Sequence, residues 1–138
     1  MLRAAQFIAG SLSLVLIACA GAPSRDAQLT EQLLGKWSDV RLLECCDRME
    51  QTIEFKKDGT FRVVGVRRSS KGSTPYSFSG TWKVKDGYLW YGITAAEPRE
   101  LHAVGEERRD RILSVAEWEW VMVEQGTGRE SRAWRYPK

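Results

Sequence analysis

Apolar and polar side chains alternate along most of the chain beyond residue 35, the two-residue period of strands with one buried face. Ile53 and Phe55 keep this phase, and Phe61 and Val63 resume it after Lys57-Asp58-Gly59-Thr60. Asp-Gly between two alternating runs is a strong hairpin signal, because both residues tolerate the positive φ of a tight turn. The arrangement recurs with Trp82 and Val84, then Asp86-Gly87, then Leu89, Tyr91 and Ile93. A third hairpin is expected where Trp118, Trp120 and Met122 run into Gly126-Thr127-Gly128, with residues 131–136 as its return strand. Residues 40–43, 99–104 and 112–116 are weaker strand candidates. The sum is about eight strands at spacings of roughly ten to twelve residues, which predicts an all-β sandwich or up-and-down barrel. Closure into a barrel is favoured, because successive hairpins leave the first and last strands as bare edges unless these pair with each other.

A short helix is expected ahead of the strands. Residues 27–34 place Leu29 and Leu33 one turn apart, with Asp26 as N-cap and Gly35 as a left-handed C-cap. Before it, residues 20–25 are small and polar, a tether rather than a flexible arm. Residues 7–17 form an apolar run, and Arg3 is the only charge in the first 18 residues. That run is about half of the roughly 20 residues a membrane-spanning helix needs, so a cleaved signal fits better than a retained anchor.

The run ends in Leu16-Ile17-Ala18-Cys19, which resembles the lipobox of bacterial lipoproteins. The resemblance implies cleavage after Ala18, a diacylglycerol on the sulfur of Cys19 and acylation of its new amine. Two or three acyl chains would hold such a protein on a lipid bilayer essentially permanently. The alternative is a plain secretory signal cut at Ala18-Cys19-Ala20. Lipoproteins retained at the inner membrane typically carry Asp after the cysteine, so Ala20 implies the periplasmic face of the outer membrane. The expected organisation is a signal peptide over 1–18, a lipidated N-terminus and tether over 19–26, and a barrel domain over 27–138.

Three further motifs resemble the small lipocalin-like lipoproteins of the calycin superfamily. They are Leu34-Gly35-Lys36-Trp37, the run from Ile53-Glu54-Phe55 through Asp58-Gly59 to Thr60-Phe61, and Gly80-Thr81-Trp82 before the second Asp-Gly turn. The resemblance implies that Trp37 packs at the closed end of the barrel beneath a basic residue of the last strand, Arg135 or Arg132. Such a cation–π contact contributes about 1 kcal/mol. The chain departs from the family in having no T-D-Y motif and no helix after the last strand. The function implied is binding of a small apolar or amphipathic ligand.

Charge and composition remove several classes. With 21 basic and 18 acidic residues the formal charge is +3, which is no footprint for nucleic acid. Arg67, Arg68 and Lys71, and again Arg108, Arg109 and Arg111, read as solvated loop faces. Six Trp and four Tyr can fill a small barrel or line a cavity within it. Trp82, Trp118, Trp120 and Tyr76 are the candidate ligand contacts. With Cys19 acylated, Cys45 and Cys46 are the remaining thiols. Their α carbons lie about 3.8 Å apart across a trans peptide, below the roughly 4.4 Å minimum usual for a disulfide. A strained vicinal disulfide, free thiols and bridging to another molecule all stand as readings. His102 and Asp47 could assist a metal there only at a spacing that matches no zinc pattern, so no metal and no cofactor are expected. The chain has no nucleophile elbow and no phosphate loop, and His102 is its sole histidine, so no enzymatic activity is expected. Two functions remain: an envelope-anchored binder of a small molecule, or a structural lipoprotein with a filled barrel whose loops meet an envelope protein.

Overall fold

The computed structural model describes residues 21–43, 47–102 and 104–136. Ala18, Cys19, Cys45 and Cys46, and with them the signal and thiol readings, lie outside these residues. A helix, α1 (Arg25–Leu33), precedes eight strands: β1 (Gly35–Leu42), β2 (Arg48–Phe55), β3 (Thr60–Ser69), β4 (Gly72–Lys85), β5 (Tyr88–Glu97), β6 (Glu107–Val115), β7 (Glu119–Glu124) and β8 (Glu130–Arg135). Every strand pairs antiparallel with the next, and β8 returns to β1, so the sheet is a closed barrel. The closing seam is short, pairing Trp37 with Arg135 and Ser38 with Trp134, and the core draws on residues of α1 and the strands alone.

The turn chemistry is local and strict. Asp86 and Gly87 both take positive φ, 55° and 76°, which lets a two-residue turn join the paired Lys85 and Tyr88. At the β2–β3 turn the Asp58 carboxylate accepts from the Thr60 N–H at 2.9 Å and from its hydroxyl at 2.6 Å. In β4 a register shift between Ser79 and Gly80 bends the strand, and a Cβ on Gly80 would collide with the Gly92 carbonyl. Only glycine admits that approach at a barrel corner.

Two of the weaker strand candidates, 40–43 and 112–116, overlap the ends of β1 and β6, but residues 99–104 do not form a strand. Arg99–Leu101 is a single 3-10 turn within the β5–β6 connection. Pro98 just before it has no N–H to give to a ladder. The helix also begins earlier than expected. Ser24 is its cap, its hydroxyl accepting from the Ala27 N–H at 3.2 Å, and the turn starts inside the expected tether. Asp26 is engaged elsewhere: its carboxylate accepts from the backbone N–H groups of Asp86 at 2.7 Å and Gly87 at 3.0 Å. At the other end Leu34 is extended, and Gly35, with φ 105°, opens β1 rather than capping the helix.

The pin at Asp26 fixes α1 across one end of the barrel, where the β2–β3, β4–β5 and β6–β7 turns also gather. This is the closed end. Leu29 and Leu33 face inward there, and Trp37 beneath them is fully buried. The last carbonyls of a helix have no intrahelical donors. Here the Trp37 indole N–H donates to the Leu33 carbonyl at 2.8 Å, while Arg135 donates to the carbonyls of Leu34 at 2.5 Å and Gln32 at 2.8 Å. The Arg135 guanidinium also lies 4.0 Å from the centre of the Trp37 ring. Arg132 faces outward and pairs with Glu119 at 3.1 Å and Glu130 at 2.7 Å.

Candidate ligand-binding site

Moving from the closed end toward the mouth, the inward-facing residues change from aromatic to polar within one strand length. On β1 the inward series is Trp37, Asp39, Arg41, and on β2 it is Phe55, Ile53, Gln51, Met49. Below that transition the barrel is filled. Phe55 lies 4.9 Å from Trp82 and 6.4 Å from Phe61 between ring centres, Trp37 meets Trp120 edge-on at 6.4 Å, and Phe61 meets Tyr91 at 6.1 Å. The remaining space is a chamber of about 80 Å³ bordered by Ile53, Phe61, Leu89, Trp120 and Met122. The indole N–H of Trp120 beside it has no acceptor among the described residues.

A polar belt stands at the top of this space, where it meets the mouth. Asp39 is 2 % exposed, and its carboxylate accepts from Arg41 at 2.7 Å and from the Gln51 side chain at 2.9 Å. Gln51 in turn accepts from the Tyr76 hydroxyl at 2.9 Å. Arg41 reaches across the barrel to Glu124 on β7 at 2.6 Å. Burial works against the Arg41 charge, but the attraction of Asp39 and Glu124 outweighs it and raises its pKa. The ring of Tyr76 lies over Gly65, its registered partner on β3, where a Cβ would come within 2.5 Å of the phenol. Glycine at that place lets the tyrosine swing into the belt. Burial pushes the Tyr76 phenol up to about 12.

Above the belt the barrel opens into a cup of about 550 Å³, within the usual range of small-molecule sites. One wall is apolar, made by Leu43, Met49, Phe78 and Ile93. The opposite wall carries Arg108, Asp110, Glu124 and Arg129. Asp110 is half-buried, and burial raises its pKa above the usual carboxylate range, with Glu124 adding to the shift. It accepts from the Tyr91 hydroxyl and from the Gln125 backbone N–H, each at 3.3 Å. Burial first, then the Asp110 charge, pushes the Tyr91 phenol well above its ordinary range. The His102 ring meets Phe78 edge-on at 4.2 Å between centres. Desolvation, reinforced by Arg108, holds its imidazole below the ordinary 6.5. The cup therefore joins donors and acceptors of both signs on β6 and β7 to an apolar stretch made by Leu43, Met49, Phe78 and Ile93, with His102 against Phe78. No group of three or more His, Cys, Asp or Glu side chains fit to hold a metal occurs among the described residues.

The four aromatics singled out from the sequence do not come together. Trp82 is buried at the closed end and donates to the Lys56 carbonyl at 3.1 Å. Trp120 borders the small chamber, Tyr76 supports the belt, and Trp118 is 64 % exposed on the outside. Sequence reasoning missed Arg41, Gln51, Tyr91, Asp110 and Glu124. A signal existed, since Asp39, Gln51 and Asp110 stand in phase with the buried Trp37, Ile53 and Ile112. A polar residue at an inward position of an otherwise apolar series marks either a satisfied network or a site.

No family model matches the chain, and no curated protein matches it. Among solved structures, the chain is similar to a redesigned β-barrel, mFAP1, bound to DFHBI, at 17% identity over 80% of this chain and 96% of that one, with a TM-score of 0.47. It is also similar to a de novo designed fluorescence-activating β-barrel, at 13% identity over 78% of this chain and 96% of that one, again with a TM-score of 0.47.

Proposed function

We propose that the chain is a lipid-anchored envelope protein that binds a small amphipathic molecule in the mouth of its barrel, without catalysing a reaction. The observation that carries the binding reading is the two-sided cup. A molecule lying across it sets its apolar part against Leu43, Met49 and Phe78 and turns its polar groups toward Arg108, Asp110 and Glu124. The belt limits depth, because Arg41, Asp39 and Gln51 are already bound to one another above a filled interior. Such a ligand is held at the mouth rather than swallowed. The anchor reading rests on Leu16-Ile17-Ala18-Cys19 behind its apolar run.

Native mass spectrometry of protein extracted from its own membrane tests the binding reading. A retained small molecule that Arg108→Glu releases is the expected result, and a wild-type protein that is always empty contradicts it. The filled lower barrel favours a second reading, in which the domain is a rigid spacer and its loops meet an envelope protein. Arg67 and Arg68 would then be contact residues, although each is already engaged, Arg67 with Asp47 at 2.7 Å and Arg68 with Glu50 at 3.5 Å. Reversing the charge of both should abolish capture of a partner in that case and leave ligand retention untouched in ours.

A further inference from the structure

We infer that the closed end of the barrel is a bilayer-docking surface, with an aromatic edge that enters the headgroup region and a lysine rim that meets anionic lipid phosphates. Three large aromatics are exposed close together where β7 and β8 reach this end: Trp118 at 64 %, Trp134 at 49 % and Tyr136 at 48 %. Trp134 is registered opposite Glu119, the Trp118 carbonyl accepts from the Arg135 N–H at 2.9 Å, and the Tyr136 N–H donates to the Lys36 carbonyl at 2.9 Å. None of the three is needed by the core, which is complete inside the wall. Trp and Tyr favour the membrane interface because each joins an apolar ring to a hydrogen-bonding tip.

Lysine is placed along the barrel in the same sense, beside the exposed carboxylates of Asp58, Asp86 and Glu117 at this end. Every ion pair among the described residues uses an arginine, and none uses a lysine. Lys36, Lys57 and Lys83 are exposed around the closed end, on β1, the β2–β3 turn and β4, continuing round from the aromatic edge on β8. Unpaired lysines on one rim keep their charge available for phosphate.

The chain outside the described residues arrives at this same end. Asp26 ties the start of α1 to the β4–β5 turn, and Cys19 lies five residues before the cap at Ser24, a span of at most roughly 17 Å. An acylated Cys19 would therefore hold this face, and not the mouth, against the lipid. The direction of that tether rests on the anchor reading above, whereas the aromatic edge and the lysine rim stand without it. With the closed end down, the cup faces the aqueous compartment.

The test uses the full chain purified from membranes and returned to vesicles of equimolar phosphatidylcholine and phosphatidylglycerol with brominated acyl chains. Quenching of tryptophan emission is expected, and it should vanish in the double variant Trp118→Phe, Trp134→Phe, whose other tryptophans stand in or against the barrel wall. Each of Lys57→Gln and Lys83→Gln should lower the ratio of docked to undocked barrel roughly fivefold. Quenching that persists in the double variant overturns the proposal, as does equal quenching in pure phosphatidylcholine. So does an unquenched wild type in which Trp118→Ser instead changes the sedimentation coefficient, which would make the patch a face for a second copy. Failure of the anchor reading would show separately, as an intact mass without acyl chains.

Discussion

The two ends of the barrel solve opposite problems. At the closed end Trp37 and Arg135 satisfy the carbonyls that α1 leaves open, and the aromatic layer beneath leaves almost no space. At the mouth, charged groups face a cup of about 550 Å³ that no side chain fills. Under the proposed function the difference separates stability from binding along one axis. Burial of aromatic surface, at about 25 cal/mol per Å² of apolar area, holds the closed end together. The mouth gives up that gain, and its charged groups hold one another beside open space.

Substitutions at the two ends should therefore fail in different ways. The largest effect is expected from Trp37→Ala, which empties the centre of the closed end and removes the donor to Leu33. It should cost about 3–5 kcal/mol in denaturant melts and leave the ligand affinity of whatever remains folded unchanged. Asp39→Ala comes next, because it leaves the Gln51 amide without its acceptor and takes one of two carboxylates from Arg41, which keeps Glu124. A loss of about 2–3 kcal/mol is expected, with ligand retention lowered as well, since the belt forms the floor of the cup. If Asp39→Ala melts like the wild type, the belt is not the boundary between the two regions. Arg135→Lys keeps the charge but loses the stacked plane and the forked contact with two carbonyls, and should cost about 1–2 kcal/mol without touching the mouth.

The smallest expected effect is a pH dependence from the mouth. The folded pKa of His102 is depressed, so its contribution is present above the unfolded value near 6.5 and is lost as pH falls through the folded value. Asp110 has the opposite sign: its folded pKa is raised, so its contribution is full below the unfolded value near 3.8 and is lost as pH rises through the folded one. His102→Gln should flatten the decline in melting temperature just below pH 6.5, and Asp110→Asn should flatten the change at lower pH. Unaltered profiles in both would show that the cup is far wetter than its walls imply.

Much of the closed end was legible in the chain itself, because its signals are local. Asp86-Gly87 fixes its turn by positive φ at both residues and Asp58-Gly59 by the positive φ of Gly59 with the Asp58 carboxylate on Thr60, and the alternation around Ile53, Phe55, Phe61 and Val63 sets which face is inward. The mouth was not legible for the converse reason. The cup takes Arg41 from β1, Met49 from β2, Phe78 from β4, Asp110 from β6 and Glu124 from β7, residues brought together only by the closure of the sheet. Strand β6 was also hard to see, since Arg108, Arg109, Asp110 and Arg111 hide its alternation until Ile112. Counting aromatics then misdirected the search for a site. Trp82 and Trp120 went to the core instead.

Hydrogen exchange measured with and without a small-molecule extract of the native membrane tests the division most directly. The account predicts new protection confined to the strands and loops of the mouth, around residues 93–110 and 124–129, with the closed end slow and unchanged in both states. Protection gained at the closed end, or no change at any position, would contradict it.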